Sequence, residues 1–227
     1  MFPWPKTVVL RWLGRRTLRS KRDAQIVLDS NVFAGVSELL LCSNSSVVTA
    51  SCEILEKLVD HEDLRTAIRG VGLHLQLVPL LRYRYHSVQR SAVYALHCFD
   101  MVEVLLSHLS NLDNISPDLQ WYILDILNLR AQKDEQHARL IVDCGAFPAC
   151  VSTLLRSPDP KILRSTCKVL WNIARYEVLI ETVHELGLNT QLIELSTHSD
   201  EHVRMTVGNL LNRFEKRVTT GEHARDF

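Results

Sequence analysis

A large apolar residue followed by asparagine recurs at long and nearly even intervals along this chain. It stands at Leu127-Asn128, Trp171-Asn172 and Leu211-Asn212, so the asparagines lie 44 and 40 residues apart. Each pair falls near the end of an amphipathic segment. A unit of that length cannot close a core of its own and has to stack on its neighbours, which points to a helical solenoid.

The clearest unit runs from Asp134 to Arg175. Glu135 to Asp143 reads as a first helix, with Ala138, Ile141 and Val142 on its inner side, and Gly145 breaks it. A second helix follows with Pro148 in its first turn, where a missing N–H costs little. Ser157-Pro158-Asp159 is expected to open a third, with Ser157 as N-cap. Its stripe of Leu163, Cys167, Leu170 and Ala174 steps by four, three and four residues, the signature of one helix face.

The next unit has the same order: a helix over 178–186 ended by Gly187, another over 188–195, and a third opened by Ser199 with Val203, Val207, Leu210 and Phe214 inward. Upstream, 61–69 reads as a first helix closed by Gly70, 73–81 as a second, and 86–99 as a third on Val88, Ala92, Leu96 and Phe99. A further triplet is expected at 23–28, 36–41 and 47–59. Between Cys98 and Asn128 the interval shrinks to 30 residues, so that unit lacks a first helix. There Met101 to Leu109 reads as the second helix, and Ser116-Pro117-Asp118 opens the third.

Three helices per unit, Cys144-Gly145-Ala146-Phe147-Pro148, Leu154-Leu155-Arg156-Ser157-Pro158-Asp159 and Leu170-Trp171-Asn172-Ile173 resemble the armadillo repeat. The resemblance covers roughly residues 23–217, with a basic arm at 1–22 and a polar tail at 218–227. It implies an all-α, right-handed α-solenoid of about five repeats, one of them truncated. In that family the third helices line a concave groove, and the closing asparagine bonds the backbone of an extended peptide. Carried over, this makes Asn128, Asn172 and Asn212 partner-binding residues, joined by Trp171 and by Lys168 and Arg175 at the rim. An amide side chain suits the role because it carries both a donor and an acceptor. The corresponding positions of the first two repeats are Lys57 and Cys98, so the track is expected in the C-terminal half. Nuclear-import receptors of the family place Trp four residues before each asparagine; here Leu124, Lys168 and Gly208 stand there. The resemblance thus implies a scaffold or adaptor holding a protein or peptide, by another recognition chemistry.

Charge adds a second theme. Residues 1–22 hold seven basic residues and no acid, which leaves 19 basic against 26 acidic residues in an acidic body. On a helix, Arg11, Arg15, Arg19 and Arg22 share a face, with Arg16 beside them. Such an arm fits a mitochondrial targeting segment, a nuclear localisation patch, an anchor at an anionic membrane, an occupant of an acidic groove, or an ordinary solvated helix. The expected location is cytoplasmic, with mitochondrial or nuclear as alternatives. Membrane contact is expected only through the arm, and nucleic-acid binding is not expected of the acidic body.

Catalytic signatures are sparse. The chain has no GxSxG, P-loop or GxGxxG motif, so neither enzymatic activity nor a cofactor is expected. Cys144 and Cys150 have His137 as the local base, but Cys144 lies at a helix end, where no positive dipole lowers its pKa. His198 and His202 have the four-residue spacing of a metal pair, with His198 outside the helix and no third ligand in view, so no metal is expected. The six cysteines form no CxxC pair and read as reduced, buried thiols.

Overall fold

The computed structural model describes residues 32–110 and 115–222, with side chains over 33–214. The basic arm, the expected helix at 23–28 and the end of the tail lie outside the described residues. Everything regular within them is helical. The chain divides after Met101 into two compact units.

The first unit holds α1 (Val32–Leu40), α2 (Ser45–Val59), α3 (Glu62–Gly70), two 3₁₀ stretches (Leu73–Leu77 and Pro79–Arg82) and α4 (His86–Cys98). Asn44 opens α2, its side-chain oxygen accepting from the N–H groups of Ser46 and Val47. The third helices α2 and α4 pack on each other. Val88, Ala92, Leu96 and Phe99 are all fully buried between them and their neighbours.

Two expectations need correction here. The break after α3 falls at Gly72, in the left-handed region at φ 72°, while Gly70 is still helical. The expected single helix over 73–81 is instead two 3₁₀ turns. Pro79 is the cause: it offers no N–H, and its ring clashes with the carbonyl four residues back, so the α-helical ladder cannot run through it. α4 closes with Asp100 left-handed at φ 59° and with Met101 N–H bonded to Leu96 C=O at 3.0 Å, a Schellman-type end.

The second unit holds α5 (Val102–Leu109), α6 (Pro117–Lys133), α7 (Glu135–Val142), α8 (Phe147–Leu154), α9 (Pro160–Ile173), α10 (Glu177–Glu185), α11 (Asn189–Leu195) and α12 (Glu201–Glu222). α12 therefore continues past residue 217. Helix α9 packs against α6 on one side and α12 on the other. That double contact buries two stripes of α9, the expected one and a second formed by Ile162, Thr166, Val169 and Ile173. Each fully buried Leu or Ile contributes roughly 1.5–3 kcal/mol of transfer free energy. α12 buries the single stripe Val203, Val207, Leu210 and Phe214.

The two Ser-Pro-Asp tripeptides behave differently. Ser116 caps α6, accepting from Leu119 N–H at 3.3 Å, with Pro117 at the first position. At 157–159 the cap is Asp159 rather than Ser157. The residue following is Pro160, which bars Asp159 from helical geometry and holds it extended at φ −89°, ψ 113°. Asp159 then accepts from Lys161 N–H at 2.8 Å, and Ser157 is left to accept from Asp159 N–H at 3.2 Å. The cap of α12 is likewise displaced from Ser199. Asp200 accepts from Val203 N–H at 2.9 Å, because a carboxylate at the positive helix end outcompetes a hydroxyl one residue earlier.

Candidate functional site

The outward faces of α6, α9 and α12 form a candidate interaction surface within the second unit. The α9 residues lying away from its two buried stripes are Lys161, Arg164, Ser165, Lys168 and Trp171, and Arg175 follows in the turn after the helix. Lys161, Lys168 and Arg175 are exposed, and Arg164, Ser165 and Trp171 half-buried.

Two of the three asparagines meet. Asn172 Nδ2 donates to Asn128 Oδ1 at 2.6 Å and to Lys168 C=O at 3.1 Å. Asn172 is only 7% exposed, and both its N–H donors are spent on the protein itself. Asn128 is half-buried. Among the described residues Asn128 Nδ2 and Asn172 Oδ1 have no partner, so the pair as a unit still presents one donor group and one acceptor. Asn212 is exposed on α12 and has no side-chain hydrogen bond among the described residues.

Three residues of this surface were not picked out from the sequence. Trp121 lies seven residues before Asn128, two turns down the same face of α6. Lys161 of α9 sits over the Trp121 ring, its Nζ 3.9 Å from the centroid. Arg213 of α12 lies over Trp171 in the same manner, 5.3 Å from the centroid. The Arg213 guanidinium also donates to Ala174 C=O at 2.5 Å and to Arg175 C=O at 3.1 Å, covering the carbonyl end of α9. In both cases a cation from the following third helix covers a tryptophan of the preceding one. The signal for Trp121 in the sequence is its seven-residue offset from Asn128, about one helical turn beyond the four-residue spacing of the import receptors.

The outward side of α9 is basic. Lys161, Arg164 and Lys168 lie there with no acid among them, Arg175 follows just past the helix, and α12 adds Arg204 and Arg213. The carboxylates on these three helices are Asp118 and Asp125 of α6 and Glu201, Glu215 and Glu222 of α12, with Asp200 at the cap of α12. Among the described residues none of Lys161, Arg164, Lys168, Arg175 and Arg213 forms an ion pair. The acidic average of the body is a property of the whole sequence and does not describe this patch.

The candidate chemical residues are otherwise engaged. His137 Nδ1 lies 2.7 Å from Asp134 and its Nε2 3.1 Å from Lys133 Nζ. Burial pushes the Cys150 thiol up to about 12. Cys52, Cys98 and Cys167 also rise to about 12, for the same leading cause. His198 lies in the turn before α12, where its Nδ1 accepts from Asp200 N–H at 3.0 Å. Among the described residues no group of three or more His, Cys, Asp or Glu side chains is placed to hold a metal ion, and no helix is long and apolar enough to cross a membrane.

Residues 134–175 match the family model of the armadillo/β-catenin-like repeat. Among solved structures the fold resembles a designed armadillo repeat protein in complex with the peptide (KR)4, with TM-score 0.58 and 16% identity over 91% of this chain and 92% of that one. It also resembles an engineered protein at TM-score 0.59 and 21% identity, over 95% of both chains. A third is a computationally designed armadillo repeat protein for modular peptide recognition, at TM-score 0.58 and 16% identity over 91% of this chain and 92% of that one. Comparison with curated proteins finds no match. Residues 134–175 are thus similar to an armadillo repeat, and the fold of the chain is an all-α solenoid like those of designed armadillo repeat proteins.

Proposed function

We propose that this chain is a non-enzymatic interaction scaffold that holds an extended peptide of a partner protein against the α6–α9–α12 face. The observation that supports it best is the Asn128–Asn172 pair. Fixed by its internal bond, it keeps one donor group uncommitted on half-buried Asn128 and one acceptor on nearly buried Asn172, the complement of a peptide unit in extended backbone. Asn212 supplies a third amide on the next helix. The peptide-recognising designed proteins of the same fold, one of them carrying a bound peptide, add support from architecture.

The test is a peptide-display selection on the full chain, followed by calorimetry with the selected peptides. Asn128→Ala combined with Asn212→Ala leaves the inward bond from Asn172 to Lys168 in place. It should weaken selected peptides by about tenfold, as the loss of one or two net hydrogen bonds implies, with helical circular dichroism unchanged. Selected peptides that bind the double variant as tightly as the parent would refute the proposal.

A second reading rests on the seven cations and no acid of residues 1–22. In it the arm delivers the scaffold to mitochondria or to an anionic membrane, rather than leaving it cytoplasmic. Fusing residues 1–22 to a fluorescent protein tests it, and a diffuse signal counts against it.

A further inference from the structure

The geometry points to an acidic extended peptide as the occupant of this surface, with Lys168 and Arg175 as the residues that receive its carboxylates. This rests on the peptide-binding reading above and specifies the class of peptide.

Three observations carry it. First, Lys161, Arg164 and Lys168 lie on the outward face of α9 and Arg175 just past its end, with no acid among them; Asp200 partly offsets Arg164. Cations clustered on a shared face with no acid among them set up a positive potential that draws in negative segments.

Second, the placement suits an extended chain. Lys168 lies four residues before Asn172 on α9, and Arg175 three after it in the turn that follows the helix, so the two cations flank the amide. A strand crossing α9 at Asn172 sends alternate side chains to opposite sides. One acidic residue then reaches toward Lys168 and its neighbour in sequence toward Arg175.

Third, the aromatic faces that could hold a partner's cations are taken. Lys161 covers Trp121 and Arg213 covers Trp171. A Lys or Arg of the peptide would have to displace a cation of the protein, then sit beside further positive charge. The (KR)4 peptide belongs to a designed relative of the fold; on this face the same charges would be repelled.

The experiment uses the full chain and three fluorescent dodecamers of equal length: one alternating Glu and Ser, one alternating Gln and Ser, and (KR)4 extended to twelve residues. Fluorescence anisotropy is measured at two salt concentrations. The acidic peptide should bind at least about tenfold more tightly than the neutral one, the gap narrowing as salt is raised. The combined variant Lys168→Glu and Arg175→Glu alters two exposed side chains and should abolish or reverse the preference. Helicity measured alongside excludes unfolding. Equal binding of acidic and neutral peptides, or a preference for the basic one, overturns the inference. So does an acidic preference that survives the double charge reversal.

The Asn128→Ala, Asn212→Ala variant separates this inference from the reading it builds on. Neutral peptides selected by display that lose affinity in that variant would leave the peptide scaffold standing and remove the acidic specificity. Acidic peptides sensitive to charge reversal but indifferent to the asparagines would do the opposite.

Discussion

At the scale of single residues, the asparagines that look equivalent in sequence are not equivalent in structure. Asn172 donates twice inward and is nearly buried, whereas Asn212 is exposed and makes no side-chain hydrogen bond among the described residues. Asn172→Ala leaves Asn128 Oδ1 without its donor and removes the side-chain bond to Lys168 C=O, which keeps its helical backbone donor; it should cost about 1–2 kcal/mol in urea unfolding. Asn212→Ala should stay within about 0.5 kcal/mol of the parent, as surface substitutions do. Similar losses from both variants would contradict the pairing. The sequence repeat located all three residues, but it carries no sign of which amide is spent internally, because that depends on the distance between two helices. Titration offers a second check. Asp134 is held below its ordinary value by the His137 ring and backbone N–H, and Asp200 by the Val203 N–H. Both cap helices in the ionised form, so their contribution is present above about pH 4, near the ordinary carboxylate value, and is lost as pH falls below it. Replacing both by Asn, a cap without a titrating charge, should flatten the dependence of stability on pH in that acid range. The buried thiols titrate in the other sense: raised to about 12, they leave stability intact below pH 9 and erode it above, where the unfolded chain ionises first. At neutral pH, iodoacetamide should label Cys42 and Cys144, both half-buried, well before the other four of the six. Intact-mass spectrometry reads this directly, and rapid native labelling of Cys52 or Cys167 would contradict their burial.

At the scale of elements, helix interiors were more legible than helix starts. The stripes Leu163, Cys167, Leu170, Ala174 and Val203, Val207, Leu210, Phe214 are buried as their spacing predicts. The starts depend on one neighbouring residue: Pro160 moves the cap of α9 to Asp159, while the identical tripeptide before α6, lacking that proline, keeps its Ser cap. The second buried stripe of α9 went unread since Thr166 interrupts it. In the structure the Thr166 hydroxyl donates to Ile162 C=O at 2.9 Å and so enters the core satisfied. Helix ends show a further pattern. Arg213 covers the last carbonyls of α9, and in the first unit the Arg69 guanidinium donates to Phe99 C=O at the end of α4. Arg213→Ala should destabilise the fold by about 1–2 kcal/mol, given a half-buried cation at a helix C-terminus. Faster amide exchange in the last turn of α9, with the exchange of α7 unchanged, should accompany it. Uniform acceleration across the second unit would point instead to global loosening.

At the scale of the whole molecule, the long-period repeat was the strongest statement the sequence made, and it defined an all-α chain of stacked helical triplets. The shortened interval from Cys98 to Asn128 correctly marked the unit without a first helix: α4 is followed by α5 and then α6. Net charge was the weakest guide. A composition balanced overall, with an acidic body, gave no sign that the face of α9 gathers cations with no acid among them, because surface potential depends on which residues share a face. The candidate residues were found in part for the same reason. Asn128, Lys168, Trp171 and Asn172 follow from one helical period, while Lys161 and Arg213 enter only through cross-helix contacts that no single segment encodes.

Those contacts run one way: the later helix lends a positive side chain to an indole of the earlier one, at Trp121 and again at Trp171. Each tryptophan is thus finished by a residue encoded about 40 positions downstream. A product truncated before α12 would lose a packing partner and also uncover the Trp171 ring. The bared indole would be open to cations from outside, so shortening this protein at its C-terminal side would change what it attracts as well as how well it folds.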